Sequence, residues 1–168
     1  MKKRKIEIMD TTLRDGEQTS GVSFSAAEKL TIAQLLLEEL NIDRIEIASA
    51  RVSEGEFQGV KGIMTWANEK EYSNRIEVLT FVDGGLSIDW MKKTGAKVQN
   101  LLTKGSLNHL THQLKKTPEQ HFTEIAQTIA LKMVSANSGL TCTGKTPIFK
   151  QFPLKISAKK LETTARNP

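Results

Sequence analysis

Strand-like and helix-like segments alternate four times between residues 5 and 131 of this 168-residue chain. The first strand-like segment alternates and contains β-branched residues, and each of the four is followed by a segment that reads as a helix. The predicted strands are residues 5–10, 44–48, 75–82 and 97–102, and the predicted helices are residues 26–40, 54–68, 88–93 and 119–131. Strict alternation of this kind predicts an α/β fold with a parallel sheet and right-handed crossovers.

Two local patterns refine this prediction. Ser25 and Glu28, three residues apart, have the pattern of a capping box and should begin the first helix. In a parallel sheet, the loops that follow the strands meet at one edge, so functional side chains are expected there. In this sequence those loops begin at Asp10, Ala48, Val82 and Leu102.

The composition is that of a soluble globular protein, with 38% hydrophobic and 26% charged residues. No apolar run approaches the roughly 20 residues of a membrane span, so no membrane association is expected. The single cysteine, Cys142, cannot form an internal disulfide, which favours a reducing cytoplasm. The length suits one domain and is shorter than the about 250 residues typical of a complete (β/α)8 barrel.

The net charge of +5 is carried by one end of the chain. Residues 1–131 hold 17 Lys and Arg against 18 Asp and Glu, whereas residues 132–168 hold seven against one. A basic tail is one form of nucleic-acid-binding arm, because phosphate contacts use Lys and Arg. The tail lacks the aromatic residues or amphipathic helix that such arms commonly add, so a basic-tailed nucleic-acid-binding module is the less favoured alternative.

The densest group of polar residues follows the first predicted strand. Within it, Asp15 offers hard oxygen ligands for a divalent cation, and Arg14 offers a fixed positive charge for a developing oxyanion. Glu17 and Gln18 are suited to orienting ligands or water. For an arbitrary cluster of this kind a solvated turn with local ion pairs is the common outcome. The whole string is Asp10-Thr11-Thr12-Leu13-Arg14-Asp15-Gly16-Glu17-Gln18.

That string resembles the motif of the metal-dependent Claisen-condensing TIM barrels, which include the 2-isopropylmalate, homocitrate and citramalate synthases. The resemblance spans about residues 5–131 and is strongest to the citramalate synthase branch. It extends through three further segments, residues 19–25, 44–53 and 100–107. It implies a partial (β/α)8 barrel of about four β/α units, residues 1–131, followed by an irregular tail, residues 132–168.

The resemblance also assigns roles around the first loop. It implies that Asp15 is a ligand of a divalent metal (Mg, Mn or Zn), which polarises the ketone of a 2-oxo acid. Arg14 would be catalytic and substrate-binding, stabilising the oxyanion or enolate as acetyl-CoA adds. Glu17 would be catalytic and Gln18 substrate-binding. The family is homodimeric, and its partners are a small 2-oxo acid and acetyl-CoA.

The same resemblance places Leu79 and Leu102 in the pocket for the side chain of the 2-oxo acid, at the ends of the third and fourth strands. Two leucines favour a small apolar substituent, as in pyruvate, and so favour citramalate formation. Synthesis of 2-isopropylmalate, in leucine biosynthesis, is the close alternative. Without the resemblance, both leucines would equally be ordinary core residues.

One part of the family's pattern does not occur in this sequence. The family has a His-x-His pair of metal ligands on a later strand, whereas the three histidines here are His109, His112 and His121. We interpret His109 and His112 as ordinary polar residues of a loop after the fourth strand. The metal site is therefore half present, and we expect this chain to be inactive by itself. A half-barrel is also expected to have an unpaired sheet edge and an open inner face, which favour self-association.

The tail contains a phosphate-binding-loop pattern, Gly139 to Thr146, but we reject nucleotide binding by it. No helical pattern follows it, and 22 residues are too few for the supporting sheet. A shifted reading frame is the better hypothesis. Back-translation of residues 132–134, read two bases later, allows Asn-Gly-Ile, a helix stop followed by a strand start. Residues 141–146 read in the same way allow Leu-Tyr-x-Glu-Asp, and the family carries Tyr-Leu-Glu-Asp on its fifth strand.

Overall fold

A parallel sheet organises the chain in the computed structural model, which describes residues 6–133 and 140–141 and the side chains of residues 6–131. The described strands pair in chain order, each parallel to the next. They are β1 (Met9–Asp10), β2 (Arg44–Ser49), β3 (Ile76–Phe81), β4 (Val98–Leu102) and β5 (Leu140–Thr141).

Helices connect the strands, as the alternating pattern predicts. The α-helices are α1 (Ala26–Gln34), α2 (Glu54–Glu69), α3 (Leu86–Thr94) and α4 (Pro118–Met133). A π-helical turn, Leu35–Glu39, extends α1, and a second one, His109–Leu114, precedes α4. Short 3-10 turns occupy Gly16–Gln18 and Ser73–Arg75. The predicted capping box is confirmed, because Ser25 and Glu28 each accept a backbone N–H of the other at the start of α1.

The helices cover one face of the sheet. Alternate residues of β2 and β3 point toward them and form a buried cluster with α1, α2 and α3, of which the strand members include Ile45, Ile47, Ile76 and Val78. A second, smaller cluster joins Leu101 of β4 to Ile125 and Ile129 of α4. These contacts explain the apolar residues at alternate positions in β2 and in the first half of β3.

The opposite face carries the polar side chains of the strands. Glu46, Glu77 and Asn100 are at most 5% exposed there, and Leu79 is 7% exposed. The expectation of an open inner face is therefore wrong for these residues, although Leu102, at the end of β4, is 40% exposed. Along its other edge β1 has no partner strand among the described residues.

Several boundaries differ from those that the sequence pattern predicts. The first strand is only two residues long, because Ile6 and Ile8 are largely exposed and only Met9 and Asp10 are in register with β2. The segment that contains His109 and His112 is a helical turn and not a loop. The backbone of β5 adds a fifth strand beyond the four predicted, pairing with Gln99 and Asn100. The rest of the tail and the phosphate-binding-loop pattern, apart from that strand, lie outside the described residues.

Among the residues that the structure describes, no helix is long and apolar enough to cross a membrane.

Candidate active site at the carboxyl ends of the strands

The loop after β1 folds into a tight turn that places Arg14 and Asp15 side by side. The Thr11 carbonyl accepts the backbone N–H groups of Arg14 and Asp15, at 3.1 and 2.8 Å. Asp10 accepts both the backbone N–H and the hydroxyl of Thr12, at 2.9 and 3.1 Å, and so fixes the start of the turn. Arg14 and Asp15 therefore lie at the edge where the parallel strands end, as predicted.

Arg14 is held by a carboxylate from the next strand. Its Nε donates to Glu46 Oε2 at 2.5 Å, and the other oxygen of Glu46 accepts from Asn100 Nδ2 at 2.6 Å. The Glu46 side chain is fully buried and that of Arg14 is 19% exposed. Residues from β2, β4 and the loop after β1 therefore meet in one network, in which the orientation of the guanidinium is fixed by a charged hydrogen bond.

Asp15 is the most accessible acidic group of this network. Its Oδ1 accepts from Arg14 at 2.7 Å, and 60% of the side chain is exposed. A carboxylate of this kind can act as one ligand of a divalent cation. Among the described residues, no three His, Cys, Asp or Glu side chains come close enough together to hold a metal ion.

Glu17 joins the same loop to two helices. Its Oε1 accepts the backbone N–H of Phe24 at 3.0 Å, and its Oε2 accepts from Lys29 of α1 at 2.6 Å. Lys29 is 3% exposed and also donates to Glu56 of α2. Burial by itself would raise the pKa of Glu17, but the bonds from Lys29 and Phe24 outweigh it, so that the pKa lies below its usual value.

A small pocket of about 110 Å3 lies between this loop and the end of β2. It contains the side chains predicted from the sequence in the first loop, Arg14, Glu17 and Gln18, and it is closed by Ser49 and Glu56. The structure thus brings together those three predicted residues, with Asp15 adjacent to Arg14.

The two predicted leucines lie elsewhere. Leu79 is the fourth residue of β3, not its last, and it is buried in register with Ser49 and Asn100. Leu102 does end β4, and it lines a separate cavity of about 130 Å3 together with Phe81 and His121. Neither leucine lines the pocket that contains Arg14.

An ion pair also ties the loops after β2 and β3 together at this edge. Arg51 donates to Asp83 at 3.0 Å, and Asp83 accepts the backbone N–H and the hydroxyl of Ser87 at the start of α3. Burial would raise the pKa of Asp83, but the bonds from Ser87 and Arg51 outweigh it and lower the pKa. These contacts join the loops after β2 and β3 to the start of α3.

Four residues of the site were not found by sequence reasoning: Glu46, Asn100, Lys29 and Glu56. Glu46 and Asn100 lie 32 and 54 residues from their partners in the network, so no local pattern connects them. The side chains of a strand alternate between its two faces, and this alternation in β2 places Glu46 on the face opposite Ile45 and Ile47. That pattern could have identified Glu46 from the sequence. Lys29 and Glu56 resemble ordinary surface charges of amphipathic helices.

Comparisons with known proteins identify the family of the chain. The family model described as HMGL-like matches residues 5–161. Curated relatives include a 2-isopropylmalate synthase of Oceanobacillus iheyensis, 39% identical over 69% of this chain and 22% of its own length. An (R)-citramalate synthase of Methanocaldococcus jannaschii is 40% identical over 68% of this chain and 22% of its own length. The chain thus spans about a fifth of these relatives.

A solved structure supports the fold. An HMG-CoA lyase of Acinetobacter baumannii, in complex with coenzyme A and 3-methylmalate, superposes with a TM-score of 0.55. The match covers 93% of this chain and 53% of that one, at 17% identity, so it bears on the fold alone. The expected partial barrel of parallel β/α units is consistent with this likeness. Because the family model covers most of the sequence and the curated relatives share about 39% identity, the chain belongs to the HMGL-like family.

Proposed function

We propose that the site at Arg14 serves the condensation of acetyl-CoA with a 2-oxo acid, most readily pyruvate to citramalate. The observation that carries the proposal is the guanidinium of Arg14, held by buried Glu46 and placed beside exposed Asp15 at the carboxyl ends of the strands. The names of the relatives support this class of reaction and include both citramalate and 2-isopropylmalate synthases. Formation of 2-isopropylmalate remains the close alternative.

Arg14 would supply fixed positive charge where the enolate and the new alkoxide develop. A donor of this kind is effective when it does not have to reorient during the reaction. The bond to Glu46 provides this fixed orientation, since Asn100 holds the other oxygen of that carboxylate. One Nη group of Arg14 donates to Asp15, so the charge is directed toward the exposed end of the site.

Asp15 fits the role of a ligand for a divalent cation. Its side chain is exposed, it carries hard oxygen atoms, and one of these is already bound by Arg14. When bound, Mg²⁺, Mn²⁺ or Zn²⁺ would act as a Lewis acid on the ketone of the 2-oxo acid. The family's His-x-His pair does not occur in this sequence, so we propose that the 168-residue chain alone does not catalyse the reaction.

Glu17 and Gln18 would complete the substrate side of this loop. Glu17 is bound by Lys29 and Phe24, and this suits it to fixing the loop beside the substrate. Gln18 lines the same pocket, where its amide would orient a carboxylate or a water. The resemblance gives Leu79 and Leu102 the selection of a small side chain on the 2-oxo acid, although neither lines the pocket that contains Arg14.

Two proteins test this proposal. The first is the 168-residue chain, and the second is a chimera in which its residues 1–131 replace the aligned segment of the citramalate synthase of Methanocaldococcus jannaschii. Release of free thiol from acetyl-CoA is measured with pyruvate or 3-methyl-2-oxobutanoate and each divalent metal. We expect no release by the chain alone and metal-dependent release by the chimera, faster with pyruvate.

In the chimera, Arg14→Ala should lower kcat by about 100-fold or more, the effect of losing one oxyanion donor. Arg51→Ala is the matched control, because Arg51 is also an arginine of the rim but is paired with Asp83. A folded chimera without activity, or equal rates for the two variants, would refute the proposed role of Arg14. A preference for 3-methyl-2-oxobutanoate would select the 2-isopropylmalate alternative.

A further inference from the structure

Glu77 is a buried carboxylate that the proposed condensation does not use. It lies on the inner face of β3, in register with Glu46 of β2, and the two residues are 0% and 1% exposed. Neighbouring strands of a sheet are only about 4.8 Å apart, so side chains in register on one face are direct neighbours. Two carboxylates therefore lie side by side on a face where neither is accessible to water.

The two carboxylates are compensated to different degrees. Both oxygens of Glu46 accept hydrogen bonds, one from Arg14 and one from Asn100. Glu77 forms an ion pair with Arg44 through Oε1, whereas no described residue donates a hydrogen bond to its Oε2. A buried carboxylate with an unsatisfied oxygen is costly in its charged form. The charge of Glu77 is therefore less well compensated than that of Glu46.

Charges on the inner face act on Glu77 in both directions. Burial is the largest effect and raises its pKa, the charges of Glu46 and Glu7 raise it further, and the charge of Arg44 opposes the rise. Arg44 Nη1 also lies 4.0 Å from Oε2 of Glu7, so its charge is shared between two carboxylates. On the β4 side, the residue in register with Glu77 is Val98, which is uncharged. Glu77 is therefore expected to ionise at a higher pH than an ordinary glutamate.

The coupling between the two carboxylates is reciprocal. Because the charge of Glu46 opposes the ionisation of Glu77, the ionised Glu77 must act on the Glu46 carboxylate with equal strength. Salt screens such buried charges far less than exposed ones. A carboxylate with a second negative charge beside it attracts a cationic donor more strongly, so the bond from Arg14 Nε to Glu46 should tighten. The protonation state of Glu77 thus reaches Arg14 through Glu46.

We propose that Glu77 is a positioning residue of the Arg14 site and acts through Glu46, so that loss of the Glu77 proton tightens the hydrogen bond that fixes the guanidinium. With Glu77 protonated, the guanidinium is held less firmly. The inference concerns the orientation of Arg14 and does not depend on which reaction the site serves. It is tested on the 168-residue chain, in which no condensation is expected, so its failure is distinguishable from failure of the proposed function.

The test follows the Nε–H signal of Arg14 by proton–nitrogen NMR of the full chain, from about pH 4 to about pH 9. The signal is identified by its loss in Arg14→Lys. A stronger hydrogen bond moves the proton signal downfield, so we expect one downfield step as the pH rises, with a midpoint above the usual 4.5 of a glutamate. Glu77→Gln, which keeps the size of the side chain but cannot ionise, should abolish this step.

Three further variants make the outcome specific. Glu7→Gln removes a charge that raises the pKa of Glu77, so the midpoint should move to lower pH. Glu39→Gln, at an exposed glutamate, is the matched control and should leave the midpoint unchanged. Asp15→Asn should keep the step, because Asp15 binds a different nitrogen of Arg14. The inference is overturned if the parent shows no step, if the step persists in Glu77→Gln, if Glu7→Gln leaves the midpoint in place, or if Asp15→Asn abolishes the step.

Discussion

Arg14 and Glu46 are 32 residues apart in the sequence and joined by a hydrogen bond of 2.5 Å between Nε and Oε2. The bond links the loop after β1 to the inner face of β2. It is part of a pair in which the Glu46 side chain is fully buried, so each group depends on the other for compensation of its charge. The contact that fixes the orientation of Arg14 is therefore also a contact within the fold, between the loop after β1 and β2.

Substitution Glu46→Gln should show this dependence. The amide side chain would keep an acceptor for Asn100 but would lose the negative charge opposite Arg14, so we expect the free energy of unfolding to fall by about 2–3 kcal/mol. Urea unfolding followed by circular dichroism measures it. Glu39→Gln, an exposed glutamate in the π-helical turn that extends α1, is the control and should change stability by less than about 0.5 kcal/mol. Equal midpoints for the two variants would contradict the prediction.

Much of the fold could be predicted from the sequence because it depends on local patterns. The capping box of Ser25 and Glu28 needs only four consecutive residues, and it is present as predicted. The strands β2, β3 and β4 were predicted within about two residues, since each is a short segment between two helix-like segments. The first strand is shorter than predicted because strand length depends on its neighbour, and only Met9 and Asp10 are in register with β2.

The site was predictable only in its first loop. Arg14, Asp15, Glu17 and Gln18 stand in one string, and the structure brings them together. The buried residues that bind them come from distant segments of the chain. The sequence alone does not distinguish a charged residue in a buried ion pair from one at the surface. Lys29 illustrates this, because a lysine on a capped amphipathic helix normally extends into solvent, whereas here it is 3% exposed.

Lys29→Met tests the role of that lysine. The change leaves the carboxylates of Glu17 and Glu56 near each other without their shared cation, so we expect a loss of about 3 kcal/mol in the free energy of unfolding at neutral pH. Lys92→Met, which removes an exposed pair with Asp89, is the control and should cost less than about 0.5 kcal/mol. A similar loss of stability in both variants would show that Lys29 does not stabilise the fold by bridging Glu17 and Glu56.

The pH dependence of this contact has a definite sign. The pKa of Glu17 is lowered in the folded chain from its usual 4.5. Its contribution to stability is therefore present above pH 4.5 and is lost as the pH falls through the lowered folded value. Lys29→Met removes the cause, so the variant's stability should fall less steeply than the parent's in acid. An unchanged slope below the usual pKa of a glutamate would contradict this assignment.

Glu77 should show the opposite sign. Its carboxylate is buried on the inner face of β3, and burial raises its pKa above the usual 4.5 although the charge of Arg44 opposes the rise. Its contribution to stability is present below pH 4.5 and is lost as the pH rises through the raised value. Glu77→Gln should therefore gain stability relative to the parent as the pH increases from acid to neutral. Thermal unfolding at several pH values measures this, and a constant difference would refute it.

The gene sequence tests the reading-frame hypothesis for residues 132–168. If the frame is shifted, the codons after position 131, read two bases later, should remain open and encode a strand with Tyr and Glu-Asp. Two observations on the given frame weigh against a shift: the family model extends to residue 161, and the backbone of Leu140 and Thr141 pairs with β4 as a fifth strand. Sequencing of the DNA decides the matter, and a stop codon within a few residues in the shifted frame would end the hypothesis.

Gly85, in the turn between β3 and α3, lies close to Leu131 of α4. Gly85 has a φ of +97°, and a Cβ at this position would lie 2.8 Å from Cδ1 of Leu131. Gly85→Ala should therefore cost backbone strain of about 1–2 kcal/mol in the free energy of unfolding. The close contact adds little, because Cδ1 is the free end of a side chain that is 45% exposed and can move aside. Gly84→Ala, with φ +70° and no atom within 4 Å, should cost only the strain, about 1 kcal/mol.

A second substitution separates the two costs. Leu131→Ala removes the atom that the new Cβ would meet, so the double variant Gly85→Ala with Leu131→Ala should lose less stability than the sum of the single variants, by no more than about 0.5 kcal/mol. Leu131→Ala combined with Gly84→Ala is the matched control and should be additive, because nothing lies near that position. A coupling above about 1 kcal/mol in the Gly85 pair, measured by urea unfolding, would contradict this prediction and show that the Leu131 side chain cannot move aside.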